Sequence, residues 1–200
     1  MPSIRHNTGS DDSLLDAARH CILAVGWKRT TLTDVARRAG VSRMTIYRRW
    51  PDMQTLLSDL MTREWSGVVE RTAVGDSGSA RDRLAAGVAA TARTLRDNDL
   101  FRKIVHVDPE LLLPYLLDRR GRTQDSILAL TEGAIAEGQR DGSIRRGDAT
   151  LLSRAVLLAV HGFVISAETM ADSGALHDQG PTLVELDAEL RQLVERYLAP

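Results

Sequence analysis

Apolar residues recur at helical spacing near the start of the chain. Over residues 11–25 the positions on one face are Leu14, Ala18, Cys21, Ile22 and Val25. This pattern predicts an amphipathic helix with Ser10 as its N-cap and Gly26 just past its end. Cys21 lies on the apolar face, so we interpret it as a small core residue rather than as a nucleophile.

Two shorter helices are predicted next. The segment TDVARRAG predicts a helix capped by Thr33 and ended by Gly40, where a left-handed backbone is usually needed. One residue later, Ser42 is the predicted N-cap of RMTIYRRW, which Pro51 ends, and Asp52 can cap the helix after that. Two short helices joined by so tight a turn must cross steeply, which predicts a helix-turn-helix unit.

The outward residues of the second of these helices have chemistry that suits DNA. Arginine binds guanine O6 and N7 with two donors, and threonine and methionine contact the thymine methyl group. Hydroxyls and amides at helix starts, as at Ser42 and Thr31, suit phosphate oxygens. Residues 28–50 carry seven basic side chains and one acidic one in a chain of net charge −1. A charge run alone more often marks a solvated helix face, but the order of residues within this run favours DNA.

Residues 15–57, LDAARHCILAVGWKRTTLTDVARRAGVSRMTIYRRWPDMQTLL, closely resemble the N-terminal domain of TetR-type transcriptional regulators. The matching features include Gly26, the Thr30–Thr31 pair, and AGVS followed two residues later by TIYRRW. The resemblance implies an all-α homodimer that binds double-stranded operator DNA through a helix-turn-helix domain at residues 1–52. It also implies a helical domain at residues 53–200 for dimerisation and for a small-molecule effector that releases the operator.

Carried over by position, the resemblance implies a set of DNA contacts. The implied residues are Thr31, Thr33, Ser42, Arg43, Met44, Thr45, Tyr47, Arg48 and Arg49. The chain departs from the family at Met53, where a phosphate-directed lysine is usual, and Arg49 is expected to substitute for it in part. Trp50 stands where phenylalanine is common, and we interpret it as a core residue.

The rest of the chain also predicts helices, at residues 53–73, 84–95, 109–118, 123–138, 148–168 and 182–198, with a loop at 74–80. Residues 148–168 carry two apolar stripes, so this helix must be covered on several sides. The first stripe is Leu151, Ala155, Leu158, Gly162 and Ile165. In the family the last two helices commonly form the dimer interface, for which we expect Leu152, Val156, Ala159, Phe163, Leu186, Leu190, Leu193 and Tyr197. The alternative is that both helices are internal core.

By resemblance, an effector pocket is expected among the helices of residues 60–170. The candidate lining residues are Trp65, Phe101, His106, Leu112, Tyr115 and Phe163, although each is individually more typical of ordinary core. His106 and His161 are candidates for orienting a polar group of a ligand. The mixture of apolar bulk with few polar groups favours an apolar or amphipathic organic effector.

Composition excludes several classes of protein. The single cysteine excludes a disulfide framework and a cysteine-built zinc site, and we expect neither a metal nor a cofactor. Aromatic residues make up only 4% of the chain, which favours helices over strands. We expect no membrane-spanning run and no signal peptide, and therefore a soluble cytoplasmic protein.

Two other functions stay open from the sequence. One is regulation of transcription without an effector, or activation rather than repression. A more distant alternative is a helical enzyme that uses His106, Asp108 and Glu110, which lie close together in sequence. Their spacing lacks the two-histidine pattern of a helical metal site, and the chain has no GxSxG motif and no phosphate-binding glycine loop.

Overall fold

The computed structural model describes residues 5–72, 78–171 and 180–200, with side chains for 11–68, 78–171 and 180–200. These residues form ten α-helices, one short 3-10 helix at Pro109–Leu111 and no strand, which confirms the all-α prediction. Most of the predicted loop at 74–80 lies outside the described residues. The helices are α1 (Arg5–Val25), α2 (Leu32–Ala39), α3 (Arg43–Arg49), α4 (Met53–Thr72), α5 (Ala80–Arg96), α6 (Asp99–Val107), α7 (Leu113–Leu117), α8 (Arg122–Asp141), α9 (Ala149–Met170) and α10 (Leu183–Leu198).

Two predicted helix starts were wrong. Helix α1 begins at Arg5, so Ser10 lies inside it rather than capping it. The N-cap of α2 is Thr31 rather than Thr33, because a partner carboxylate stands three residues after Thr31. The Thr31 hydroxyl accepts from the Asp34 N–H, and the Asp34 carboxylate accepts from the Thr31 N–H, which completes a capping box.

The chain divides into two compact units. The N-terminal unit contains residues 1–64 and 98–119, and the C-terminal unit contains residues 65–97 and 120–200. This division differs from the boundary expected at residue 52, because Leu100 and Ile104 of α6 belong to the same buried cluster as the residues of α1 and α2. The first turns of α4 belong to it as well, through Leu56 and Leu60.

The core of the N-terminal unit is built from the apolar faces of its helices. Ala18, Ile22, Val35 and Ile46 are fully buried, as the sequence predicts for the inward faces of α1, α2 and α3. Trp50 is 1% exposed and donates from Nε1 to Asp59 Oδ2 at 2.8 Å, so this indole is buried with its polar atom satisfied. The core therefore holds α3 through its buried residue Ile46 and leaves the opposite face of the helix exposed.

The C-terminal unit packs α5, α8, α9 and α10 against one another. Its buried positions include Ile135, Val156 and Leu190. A buried ion pair between Arg96 on α5 and Asp187 on α10 lies in this core. Arg96 Nη1 also donates to the carbonyl oxygen of Phe163 on α9, at 3.2 Å. One guanidinium thus links three helices.

Helix α9 corrects the expectation that no apolar run is long enough to span a membrane. Its 22 residues contain an 18-residue window with a mean hydropathy of 1.7, of which 22% is buried within the chain. Length and composition alone would let such a helix span a bilayer, and core helices of soluble proteins pass the same test. Most of the apolar window of α9 is therefore left uncovered by the described residues of the chain itself.

Candidate DNA-binding site

The turn between α2 and α3 has the geometry that the sequence predicts. Gly40 adopts φ +69°, ψ 25°, and its N–H and that of Val41 close the end of α2. This left-handed conformation favours glycine, and a Cβ at Gly40 would meet nothing within 4 Å, so the backbone rather than space requires it. Ser42 caps α3, accepting from the Thr45 N–H at 3.1 Å.

The outward face of α3 is exposed and chemically mixed. Ile46 is fully buried, whereas Arg43, Met44, Tyr47 and Arg48 are exposed. Met44 is 78% exposed and Tyr47 is 49% exposed. Every residue of α3 that the sequence assigns to DNA contact, apart from half-buried Thr45, is therefore on the surface.

Several of the predicted contact groups already have partners within the chain. The Thr31 hydroxyl donates to Asp34 Oδ2 at 2.5 Å, and the hydroxyls of Ser42 and Thr45 lie 2.9 Å apart. These bonds from Thr31 hold the pKa of the Asp34 carboxyl below its usual value. Arg49 pairs with Asp11 on α1 at 2.8 Å. Thr33 is half-buried on α2.

The departure at Met53 has a structural consequence. Met53 is partly buried and packs against the core of the N-terminal unit, where a lysine would instead direct its charge outward. Arg49, the expected substitute, has its guanidinium 5.5 Å from the centre of the Trp50 ring and pairs with Asp11. The positive charge of residues 28–50 is also partly neutralised, since Arg37 pairs with Asp34 and Lys28 with Glu110.

The structure places Cys21 on a surface groove of about 390 Å³ between α1 and α2. Cys21 is partly buried against the core of the N-terminal unit, and burial raises the pKa of its thiol. It therefore stays a neutral thiol at ordinary pH, consistent with a packing role.

Two of the three residues of the alternative enzyme site, Asp108 and Glu110, make structural contacts. The Asp108 carboxylate is buried and accepts from the Trp27 N–H at 2.8 Å. Glu110 pairs with Lys28 at 2.5 Å, which lowers the pKa of Glu110 and raises that of Lys28. His106 is exposed. Among the described residues no group of three His, Cys, Asp or Glu side chains is placed to bind a metal ion.

The expected effector residues are spread over both units. Phe101, His106, Leu112 and Tyr115 belong to the N-terminal unit, and Trp65 and Phe163 belong to the C-terminal unit. Phe101 is buried and Leu112 packs against the N-terminal core, so both have packing roles. In the C-terminal unit, His161 is half-buried with its Nε2 3.4 Å from Gln124 Nε2, and burial lowers the pKa of His161.

The expected dimer residues differ in how far the chain itself buries them. Leu152, Val156 and Leu190 are buried within the chain, so they present no surface to a second copy, and this part of the expected set is corrected. Ala159, Phe163, Leu186 and Tyr197 are half-buried, and Leu193 is 45% exposed. The other apolar stripe of α9 faces outward instead, with Leu151 64% and Leu158 70% exposed. The sequence shows both stripes but not which one the chain itself covers.

Comparison with known proteins agrees with this geometry. The sequence-family model described as bacterial regulatory proteins, tetR family, matches residues 14–60. The HTH-type transcriptional regulator Rv2250c of Mycobacterium tuberculosis (strain ATCC 25618 / H37Rv) is 35% identical over 179 residues, which cover 88% of this chain and 92% of the relative.

Solved structures share the whole fold. The transcriptional repressor QsdR of R. erythropolis, from the TetR family, superposes with a TM-score of 0.67 at 14% identity and covers 96% of each chain. FadR of Bacillus subtilis, in complex with stearoyl-CoA, gives a TM-score of 0.66 at 20% identity over 93% of this chain and 98% of that one. The chain therefore belongs to the TetR family of bacterial transcriptional regulators, with α2 and α3 as its helix-turn-helix.

Proposed function

We propose that the protein is a homodimeric repressor that binds a palindromic operator through α3 and is released by a small, mainly apolar effector. The observation that carries the proposal is the outward face of α3. Its exposed arginines flank Met44 and Tyr47, two large side chains that cost free energy in water and that contact with DNA would cover.

Each outward group has a role in such a complex. Arg43 and Arg48 bind guanine edges or phosphates, and Met44 and Thr45 contact thymine methyl groups. Tyr47 and the start of α3 at Ser42 bind phosphate oxygens. Thr31, Thr33 and Arg49 are weaker contacts in this proposal. Thr31 and Arg49 must first exchange Asp34 and Asp11 for phosphate. Thr33 is half-buried.

The partner that covers the exposed stripe of α9 is a second copy of the chain. Leu151 and Leu158 lie two turns apart on α9, and Val184 on α10 is 72% exposed. An apolar stripe exposed along one side of a helix is typical of an interaction surface. A two-fold dimer also explains how two copies of α3 read two half-sites about 34–36 Å apart.

The effector site belongs within the C-terminal unit, with Trp65 and Phe163 as apolar lining. His161 and Gln124 are polar groups able to orient a head group. FadR, which shares the fold, has been solved with stearoyl-CoA, so long acyl compounds are the first effectors to test. The mechanism is a population shift, since an effector releases DNA only if it binds the DNA-free conformation more tightly.

The test is selection of fragments from the source genome by purified protein, followed by titration of the selected fragment with salt. We expect selective binding that weakens steeply with salt, as counterion release requires. A reporter fused to the selected fragment then separates repression from activation. Equal binding to unrelated DNA in every selection would refute the proposal.

A further inference from the structure

The turn between α1 and α2 depends on a residue from far along the chain. Helix α1 ends at Val25, and Gly26 then adopts φ +87°. The N–H of Trp27 has thereby left the helix and needs another acceptor. That acceptor is Asp108 Oδ2, at 2.8 Å, which is 81 residues away in sequence and belongs to the same unit.

Asp108 is buried next to the turn between α1 and α2. It follows α6 and is 2% exposed, although carboxylates are rarely so buried unless they are hydrogen-bonded. A Cβ at Gly26 would lie 3.3 Å from Asp108 Oδ2 and 3.3 Å from Val107 Cγ1, so the two segments are in close contact. Beside this contact, Lys28 and Glu110 form a second, exposed link between the same segments.

The turn leads directly into the helix-turn-helix. The Thr30 hydroxyl donates to the Gly26 carbonyl oxygen at 2.8 Å, and the Thr30 N–H donates to the Trp27 carbonyl oxygen at 3.0 Å. The next residue, Thr31, is the N-cap of α2. Because these bonds tie the turn together from Gly26 to Thr31, the position of the Trp27 N–H fixes where α2 begins.

We propose that Asp108 is a positioning residue for DNA binding: its buried carboxylate holds the turn between α1 and α2 and so orients α2 and α3 for the operator. This inference rests on the proposed function. It means that the DNA-binding unit is incomplete without residues 98–119, which leave the C-terminal unit after α5 and rejoin it before α8.

The test compares Asp108→Ala and Asp108→Asn with two controls in the same segment. Glu110→Gln removes only the exposed pair with Lys28, and Ile104→Val removes one methyl group from the buried core of this unit. Amide hydrogen exchange at Trp27 reports the bond itself, fluorescence anisotropy on the fragment selected by the wild-type protein reports DNA affinity, and thermal unfolding reports stability.

For Asp108→Ala we expect Trp27 amide exchange to accelerate and affinity for the selected fragment to fall about tenfold, the scale of a hydrogen bond to a charged group. Asp108→Asn keeps an accepting oxygen, so its loss should be smaller and in the same direction. Both controls should stay within about twofold of wild type in affinity, even where Ile104→Val lowers the unfolding temperature.

Faster Trp27 exchange with unchanged affinity in either Asp108 variant would overturn the proposal, because the bond would then be purely structural. An equal loss of affinity in Ile104→Val would overturn it too, since general destabilisation would explain the result. If Asp108→Ala does not fold, Asp108→Asn alone decides on the same two measurements. Failure of the proposed function would look different, because the wild-type protein itself would then select no fragment.

Discussion

The two units expose opposite chemistry on their outward helices. In the N-terminal unit α3 exposes arginines around Met44 and Tyr47, whereas in the C-terminal unit α9 exposes the leucines Leu151 and Leu158. The first surface suits a polyanion and the second suits another apolar helix. Helix α3 buries only Ile46, so most of its surface is available to a polar partner. Helix α9 has two apolar stripes, and each stripe needs an apolar neighbour to cover it.

The sharpest way to break this comparison is to charge the outward stripe of α9. Leu158→Glu should raise the dissociation constant of the proposed dimer at least about a hundredfold, because its two-fold symmetry would bring the new carboxylate and its copy to one interface. Sedimentation or light scattering over a dilution series measures it. The matched control is Leu130→Glu on α8, where a leucine is 60% exposed outside this stripe. A larger effect of Leu130→Glu would assign the interface to α8.

A substitution in the buried core of the C-terminal unit should instead lower the free energy of unfolding. Asp187→Ala leaves the buried Arg96 guanidinium without its counter-charge, so the free energy of unfolding should fall by about 3–5 kcal/mol. Urea titration measures the loss. The control is Arg191→Ala, which removes an exposed pair with Glu195 worth about 0.5 kcal/mol or less. Equal losses in the two variants would mean that the Arg96 pair does not fix the packing of α10.

The outward face of α3 should affect binding and leave stability unchanged. Arg43→Ala should weaken binding to the selected fragment by about 1–3 kcal/mol, as expected for loss of a bidentate base contact, with little change in the unfolding temperature. Arg140→Ala on α8 is the control, since it removes an exposed arginine from the other unit. Equal effects on affinity would reduce the role of α3 to general electrostatic attraction.

The helix-turn-helix was predictable residue by residue because its signals are local. Gly40, Ser42 and the buried Ile46 are each fixed by neighbours within a few residues, and the structure confirms all three. Within α2 and α3 the wrong prediction is the N-cap of α2, because Ala36, three residues after Thr33, cannot complete a capping box. For Thr31 the residue three positions later is Asp34, and the capping box was visible in the sequence.

The faces of α9 and the contact made by Asp108 were not predictable in this way. Periodicity shows that α9 has two apolar stripes, but which one the chain covers depends on where α5, α8 and α10 pack. The Trp27–Asp108 bond joins residues 81 apart, and no local pattern reports such a contact. Long-range contacts therefore decide which stripe of α9 the chain covers and which segment holds the turn before α2.

The smallest expected effect concerns His161, which lies on the half-buried side of α9. Burial lowers its pKa below the usual 6.5, so the unfolded chain takes up a proton before the folded chain does as pH falls. The contribution of neutral His161 to the free energy of unfolding is complete above the pKa of the unfolded chain. It is lost as pH falls through the lower pKa of the folded chain. The unfolding temperature should therefore drop between about pH 7.5 and about pH 5.5, and less so in His161→Gln. His20→Gln changes an exposed histidine and should match wild type. If His161→Gln kept the full drop, the burial of this imidazole would be ruled out as its cause.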